Sequence, residues 1–208
     1  MKPAMGSLNY FTRSVKSFRS YWNNQTPQPR IVERKSFKKI TVYFKGLTGL
    51  GLVLLLFTQS KPVPPRLTVY TFLSTECPIS QQYIRTLDKL YQRFNPSGVR
   101  FIAMFPLAGD SPQRIRQFRS EYGLPFAGRP DVGARLARQF RVRTTPEVVV
   151  MQANGTVRYQ GAIDDWYISL GKPRPEVTNA YLQQALNALL ANQVVVTART
   201  EAVGCLLN

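Results

Sequence analysis

The sequence predicts an α/β domain built on a central mixed β-sheet flanked by helices, placed behind an N-terminal extension that is first basic and then apolar. Three observations predict it. Between Leu67 and Phe105 a β-prone run, an amphipathic helical stripe and a second β-prone run follow one another, the pattern of a crossover unit with two parallel strands. Two further β-prone runs flank Asn154-Gly155, a strong antiparallel hairpin signal. Ahead of the domain, residues 1–45 hold ten Lys or Arg against the single acid Glu33, whereas residues 61–208 carry 18 basic and 10 acidic side chains.

The extension divides by composition. Residues 1–45 form a basic leader, largely disordered by composition, and 46–60 contain the uncharged run Gly46 to Phe57. As a helix these dozen residues rise only about 18 Å, short of the roughly 30 Å of a bilayer core; starting the helix at Ile40 and letting Lys45 snorkel nearly closes the gap. The length suits the apolar region of a signal peptide, with Thr58 and Ser60 as a small-x-small cleavage pattern, although a 45-residue leader is long for one. Three glycines and an apolar circumference argue against a buried core helix. Signal peptide or short anchor, the expectation is export: the leader stays cytoplasmic and the rest crosses, to a periplasmic or other extracytoplasmic location. The membrane is therefore an expected partner through this segment. Nucleic acid is not, because no reading motif accompanies the basic leader. A Pro-rich linker at 61–66 leads into a domain expected at 67–193, followed by a tail at 194–208.

Within the domain, Leu67 to Leu73 is rich in β-branched and aromatic residues and reads as a strand. Ser74-Thr-Glu-Cys-Pro78 turns the chain into a helix, with Pro78 suited to the first helical position. Ile79, Tyr83, Ile84, Leu87, Leu90, Tyr91 and Phe94 make its apolar stripe, and Asn95-Pro-Ser-Gly98 ends it. Val99 to Phe105 is the second strand. A helix is expected from Ser111-Pro112, burying Ile115 and Phe118, and a shorter one around Asp131 to Phe140 with Leu136 inward. Thr144 to Met151 and Thr156 to Tyr159 form the hairpin strands. After a loop, Val177, Tyr181, Leu182, Ala185, Leu186, Leu189 and Leu190 mark a final helix.

The chain has no histidine and two cysteines. A Ser-His-Asp hydrolase, a Cys-His protease, a His-ligated zinc enzyme and a four-cysteine zinc or iron–sulfur site are all excluded, and neither a metal nor a cofactor is expected. Of the thiols, Cys77 sits where a strand turns into a helix N-terminus. Free backbone N–H groups and the helix dipole there favour the thiolate. Residue position alone leaves two readings open: a redox nucleophile, or a buried structural cysteine packed as a small hydrophobe.

The surrounding segments carry a resemblance. Glu76-Cys-Pro-Ile-Ser80, Thr145-Pro-Glu-Val148, Gly155 to Asp165 and Val203-Gly-Cys205, in this order, resemble the thioredoxin superfamily, and more closely the exported redoxin-domain proteins related to alkyl hydroperoxide reductase/thiol-specific antioxidant (AhpC/TSA). The likeness covers about residues 66–208. It implies a thioredoxin-like three-layer fold and an exported thiol-disulfide oxidoreductase with a protein thiol or disulfide as partner. Cys77 would attack, Pro146 would be a cis-proline packed beside it, and Thr145 and Pro78 would help to dock the partner. One departure matters. The position three residues after Cys77 is Ser80 and not a second cysteine, so a mixed disulfide cannot be resolved locally, although the Ser80 hydroxyl can hydrogen-bond the thiolate. Cys205, 128 residues downstream, falls in a tail where the resemblance places a cysteine. A Cys77–Cys205 disulfide, an external thiol such as glutathione or a partner protein, and an inert Cys205 all remain open, as does a permanent structural bridge.

Two alternatives stand beside this reading. Peroxide reduction is the first: peroxiredoxins place a proline, a hydroxyl residue and an arginine around the attacking cysteine. Here Ser74 fits the hydroxyl position, Tyr70 stands in the proline's place, and the arginine position falls on Pro146, with Arg143 nearby as the peroxide-polarising substitute. The second is a non-catalytic module binding extended peptides along the cis-proline edge. Asp164 and Asp165 are expected to cap or solvate a turn, and Arg135, Arg138, Arg141 and Arg143 to form a solvated basic face.

Overall fold

The computed structural model describes residues 66–207. The basic leader, the apolar run and residues 61–65 of the linker lie outside the described residues. No helix among the described residues is long and apolar enough to cross a membrane.

A five-stranded sheet of order β3-β2-β1-β5-β6 forms the middle of the domain. β1 (Leu67–Phe72) lies parallel to β2 (Val99–Phe105), with Leu67 opposite Val99 and Phe72 opposite Met104. α1 (Pro78–Phe94) connects them, burying Ile79, Tyr83, Ile84, Leu87, Leu90 and Phe94 at the expected spacing. It passes through a short 3-10 turn into Gly98, whose φ of +82° stops it in the left-handed region that glycine adopts without a Cβ clash. α2 (Pro112–Tyr122) is capped by the Ser111 hydroxyl, which accepts from the Arg114 N–H at 3.3 Å.

β3 (Ala127–Pro130) was not expected. It pairs parallel with Ile102 to Phe105, yet Ala-Gly-Arg-Pro has no β-branched or aromatic residue to signal a strand. Its placement comes from packing: a Cβ on Gly128 would lie 3.0 Å from Ile115 and 3.1 Å from Phe105, so α2 closes directly over the backbone. The next helix is shorter than expected. A 3-10 turn at Val132–Ala134 precedes α3 (Arg135–Phe140), and the Asp131 carboxylate accepts the Leu136 and Ala137 N–H groups at 3.0 and 2.8 Å.

The expected strand from Thr144 to Met151 is divided at Pro146 into β4 (Thr144–Thr145) and β5 (Glu147–Gln152), because proline supplies no N–H to a ladder. β5 runs antiparallel to both β1 and β6 (Val157–Gly161), and the hairpin turns at Gly155 with φ +88°. The expected loop after it contains a small hairpin, β7 (Tyr167–Ser169) and β8 (Lys172–Pro173). α4 (Tyr181–Leu190) begins four residues after Val177, which is exposed and not part of the helix. Asp165 accepts the Thr178 and Asn179 N–H groups, both at 2.9 Å, and so keeps that segment in a loop.

The sheet separates two packed faces. Val69, Phe101, Ala103, Phe105, Val148 and Val150 join the buried residues of α1, α2 and α4 in one apolar cluster. On the other face the Phe140 ring of α3 lies 6.1 Å from that of Tyr70 and 6.3 Å from that of Phe72. The alternation of β1 therefore serves both sides, as expected for a sheet buried between helical layers. The chain finishes with β9 (Cys205–Leu206), antiparallel to β4: Thr144 stands opposite Leu206 and Thr145 opposite Cys205.

Candidate active site

Cys77 is held from three directions. The loop that carries it leaves β1 at Leu73, whose N–H donates to the Met104 carbonyl at 2.9 Å. Thr75 then fastens the loop to buried Asp110, its N–H and hydroxyl both donating to Oδ1, at 3.0 and 2.5 Å. The Gln81 side chain donates back to the Thr75 carbonyl at 3.0 Å. Cys77 itself is the N-cap of the 17-residue α1, with extended φ and ψ of −83° and 114°. Pro78 follows at the first helical position, exposed at the rim, where its missing N–H costs the helix nothing.

The second direction is the β4–β5 break. The Thr145–Pro146 peptide is cis, and the Thr145 carbonyl oxygen lies 3.1 Å from Cys77 Sγ, accepting from the thiol in its protonated form. Thr145 is fully buried.

The third is the C-terminal tail. Cys205 stands opposite Thr145 in the β4–β9 pair, and its side chain and backbone N–H are among the groups that lower the Cys77 pKa. The approach is close: a Cβ on Gly204 would lie 2.2 Å from the Thr145 carbonyl oxygen and 3.1 Å from the Pro146 nitrogen. With the tail in place Cys77 is only 2% exposed. Further back the tail is fastened to β6, where the Gln160 N–H donates to the Ala198 carbonyl at 3.0 Å and the Thr200 N–H to the Gln160 carbonyl at 3.1 Å.

The electrostatics follow from this geometry. Burial pushes the Cys77 thiol upward, but the Cys205 side chain, the Ser80 N–H and hydroxyl and the Cys205 N–H oppose it, and the balance falls below the ordinary thiol value. Ser80 is free to donate its hydroxyl proton, because its oxygen accepts from the Ser74 N–H at 3.3 Å. Burial, followed by the hydrogen bond and the charge of Cys77, pushes Cys205 up to about 12. The pair is polarised: ionisation is favoured at Cys77 over Cys205. Both are free cysteines.

Cys77, Ser80, Thr145, Pro146 and Cys205 are thus brought together. Arg143 is not. Its side chain is exposed and lines a separate cavity of about 400 Å³ with Arg141, Arg199 and Glu147, whose lining includes neither Cys77 nor Ser80. Ser74 accepts the Glu76 N–H at 3.2 Å. Asp164 and Asp165 act as acceptors for the turn: Asp164 takes the Tyr83 hydroxyl at 2.6 Å and the Trp166 N–H at 3.0 Å. Burial holds the Asp164 carboxyl above its usual range and Tyr83 well above its own. Both line a cavity of about 280 Å³ beside Pro146, closed along one side by Thr200 to Val203.

Two contributors were not legible from the residues alone. Asp110 lies 33 residues from Cys77 and carries no local signal. Gly204 was visible only as part of Val203-Gly-Cys205, and its closeness to Thr145 arises from the β4–β9 pairing.

A strand-turn-helix cysteine and a cis-proline lie at the same end of the neighbouring strands β1 and β5, and residues 61–160 match the AhpC/TSA family. The fold is thioredoxin-like. Among solved structures it is similar to an uncharacterized conserved protein from Geobacillus kaustophilus, with 25% identity and a TM-score of 0.62 over 69% of this chain and 77% of that one. A hypothetical protein from Sinorhizobium meliloti 1021 is similar at 22% identity with a TM-score of 0.61, covering 69% of this chain and 79% of its own. No curated protein matches the chain. The fold is therefore shared, whereas the particular use of Cys77 and Cys205 has to be argued from this chain.

Proposed function

We propose that this protein is a thiol-disulfide oxidoreductase in which Cys77 attacks and Cys205 resolves. The observation that carries the reading is the placement of Cys77 at the N-terminus of a 17-residue helix, its Sγ 3.1 Å from the Thr145 carbonyl oxygen, with Cys205 paired opposite that same Thr145. In the reductive direction the Cys77 thiolate attacks one sulfur of a substrate disulfide, forming a mixed disulfide and expelling the other sulfur as a thiolate that takes up a proton. Cys205 then loses its proton and attacks Cys77 Sγ, forming the Cys77–Cys205 disulfide and releasing the substrate's second sulfur as a thiol. The substrate gains two electrons and the protein loses them; a dithiol or two equivalents of an external thiol restores the starting state, and the reverse sequence oxidises a dithiol. Ser80 stabilises the thiolate without competing for the mixed disulfide, the part that a second cysteine would play in that position. Peroxide reduction has less support, because Arg143 faces the other cavity.

The membrane-facing part of the proposal rests on residues 1–60: a basic leader and an apolar run that would place this domain outside the cytoplasm. The test of the chemistry is trapping. With a disulfide-bonded peptide, the Cys205→Ser chain accumulates a mixed disulfide on Cys77 while the unaltered chain turns over. A Cys77→Ser chain that exchanges disulfides as fast as the unaltered one overturns the proposal.

A further inference from the structure

The tail reaches Cys77 in the way that a foreign strand would. β9 adds to the edge of β4 antiparallel, over two residues, and the pairing is prolonged by the Leu207 N–H donating to the Arg143 carbonyl at 2.8 Å. Edge addition is how extended peptides bind to a sheet, with main-chain hydrogen bonds supplying affinity and alternate side chains supplying specificity. Here the added strand delivers a sulfur: the residue opposite Thr145 is Cys205, and the Thr145 carbonyl lies 3.1 Å from Cys77 Sγ. While the tail is docked, that edge is taken and Cys77 is 2% exposed, so a protein disulfide reaches it only after the tail has left.

The tail is also fastened in two separable places. Its base is held on β6 by the Gln160 bonds to Ala198 and Thr200, and by the Thr200 hydroxyl, which lies 2.7 Å from the Tyr159 hydroxyl and accepts the Ala162 N–H at 2.9 Å. Gly161 permits this approach: a Cβ there would sit 2.2 Å from the Thr200 carbonyl oxygen. Beyond Thr200, residues 201–207 are held by the β4 edge and by Val203 and Cys205 packing on the core, with Leu206 69% exposed. They can leave as a flap while the base stays.

Gly204 states what else fits. Its φ lies outside the left-handed region, so any residue could adopt its conformation, and space alone excludes a side chain. The obstructing atoms are backbone: Thr145 O at 2.2 Å, Thr145 C at 2.6 Å and Pro146 N at 3.1 Å. These atoms belong to the receiving edge and not to the tail, so an incoming strand in the same register meets them too. The residue after the cysteine meets no such limit, as the exposure of Leu206 shows.

We propose that residues 201–207 are a resident substitute for the protein substrate, and that the partners of this protein present their reactive cysteine in an extended segment with glycine immediately before it. The inference rests on the oxidoreductase reading above and adds to it the substrate class. An incoming Gly-Cys strand displaces the flap, docks on Thr144–Thr145 and places its sulfur against Cys77. After the mixed disulfide forms, the returning tail brings Cys205 to Cys77 Sγ, so that one movement forms the internal disulfide, expels the partner's thiol and evicts its strand.

The experiment uses the full chain carrying Cys205→Ser, which leaves Cys77 as the sole thiol. Two peptides are compared, Ala-Val-Gly-Cys-Leu-Leu and Ala-Val-Val-Cys-Leu-Leu, each with its cysteine disulfide-linked to thionitrobenzoate, whose release is followed by absorbance; dithiobis-nitrobenzoate is the small-disulfide control. The glycine peptide reacts faster than the valine peptide by about tenfold or more, the scale on which forcing a side chain into filled space is penalised. A second substitution, Gly204→Val, which the same backbone atoms exclude from the edge, raises the rate with the glycine peptide and preserves its preference over the valine peptide. Equal rates for the two peptides, with the small disulfide reacting, overturn the substrate assignment and leave the oxidoreductase reading standing. A Cys77 inert to the small disulfide as well overturns both.

Discussion

Replacing Cys205 by Ala and by Ser separates the donor that matters most to Cys77 from the rest of the site. Among the groups lowering the Cys77 pKa, the Cys205 side chain is the largest, ahead of both Ser80 contributions. Serine retains a hydroxyl proton at that position and alanine retains none, while both leave the Cys205 backbone N–H and leave Cys77 as the sole thiol. A hydrogen bond to a charged group contributes about 1.5–3 kcal/mol, and one pKa unit corresponds to about 1.4 kcal/mol. Because Cys205 is only half-buried, the lower end applies, and Cys77 in the alanine chain titrates about one unit higher than in the serine chain. The sign follows directly: losing a donor to the thiolate favours the thiol, so ionisation needs a higher pH. Below both pKa values the thiolate fraction drops about tenfold, the intrinsic nucleophilicity of the more basic sulfur rises about threefold, and alkylation slows about threefold net. Well above both values the alanine chain reacts faster. The assay is the rate of iodoacetamide alkylation against pH on the two full chains, checked by thiolate absorbance. Coincident titration curves, or a lower pKa in the alanine chain, refute the reasoning that Cys205 donates to Cys77.

Two further outcomes follow from the same geometry. Ser80→Ala removes one side-chain donor to Cys77 and leaves the Ser74 N–H without its 3.3 Å acceptor, so the Cys77 pKa rises by about one unit and the domain loses about 1 kcal/mol; alkylation profiles and denaturant unfolding measure the two effects separately. Gly161→Ala places a methyl group 2.2 Å from the Thr200 carbonyl at a φ of +142°, which loosens the base of the tail; Cys77 then alkylates several-fold faster under native conditions, and an unchanged rate contradicts the view that the tail limits access.

How much of this was legible in the sequence depends on how local the signal was. The strand, helix and strand from Leu67 to Phe105 carry their own periodicity, and Ser111-Pro112 and Asn154-Gly155 carry their own turn chemistry, so these were read correctly. β3 carries none, since Ala127–Pro130 becomes a strand only because Ile102 to Phe105 and α2 leave a space there that a small backbone fills. Val177 continues the apolar stripe of α4 in sequence, but Asp165 claims the N–H groups of the two residues that follow it. At the site, Cys77, Ser80 and Pro146 were readable from a motif whose members the fold brings together. Arg143 was not readable from its distance in sequence to Pro146, because that distance says nothing about which side of β4 its guanidinium occupies. Gly204 depends on a strand pairing across 59 residues, and no local pattern encodes the clearance between its Cα and Thr145.

The central claim is that Cys77 and Cys205 are the two halves of one redox couple. It is tested most directly by treating the reduced full chain with one equivalent of a disulfide-bonded peptide, quenching with acid, and mapping the thiols by non-reducing peptide mass spectrometry. The expected products are a Cys77–Cys205 linked pair of peptides and the reduced substrate in equal amount. A persistent substrate adduct on Cys77 with Cys205 still a free thiol would contradict it.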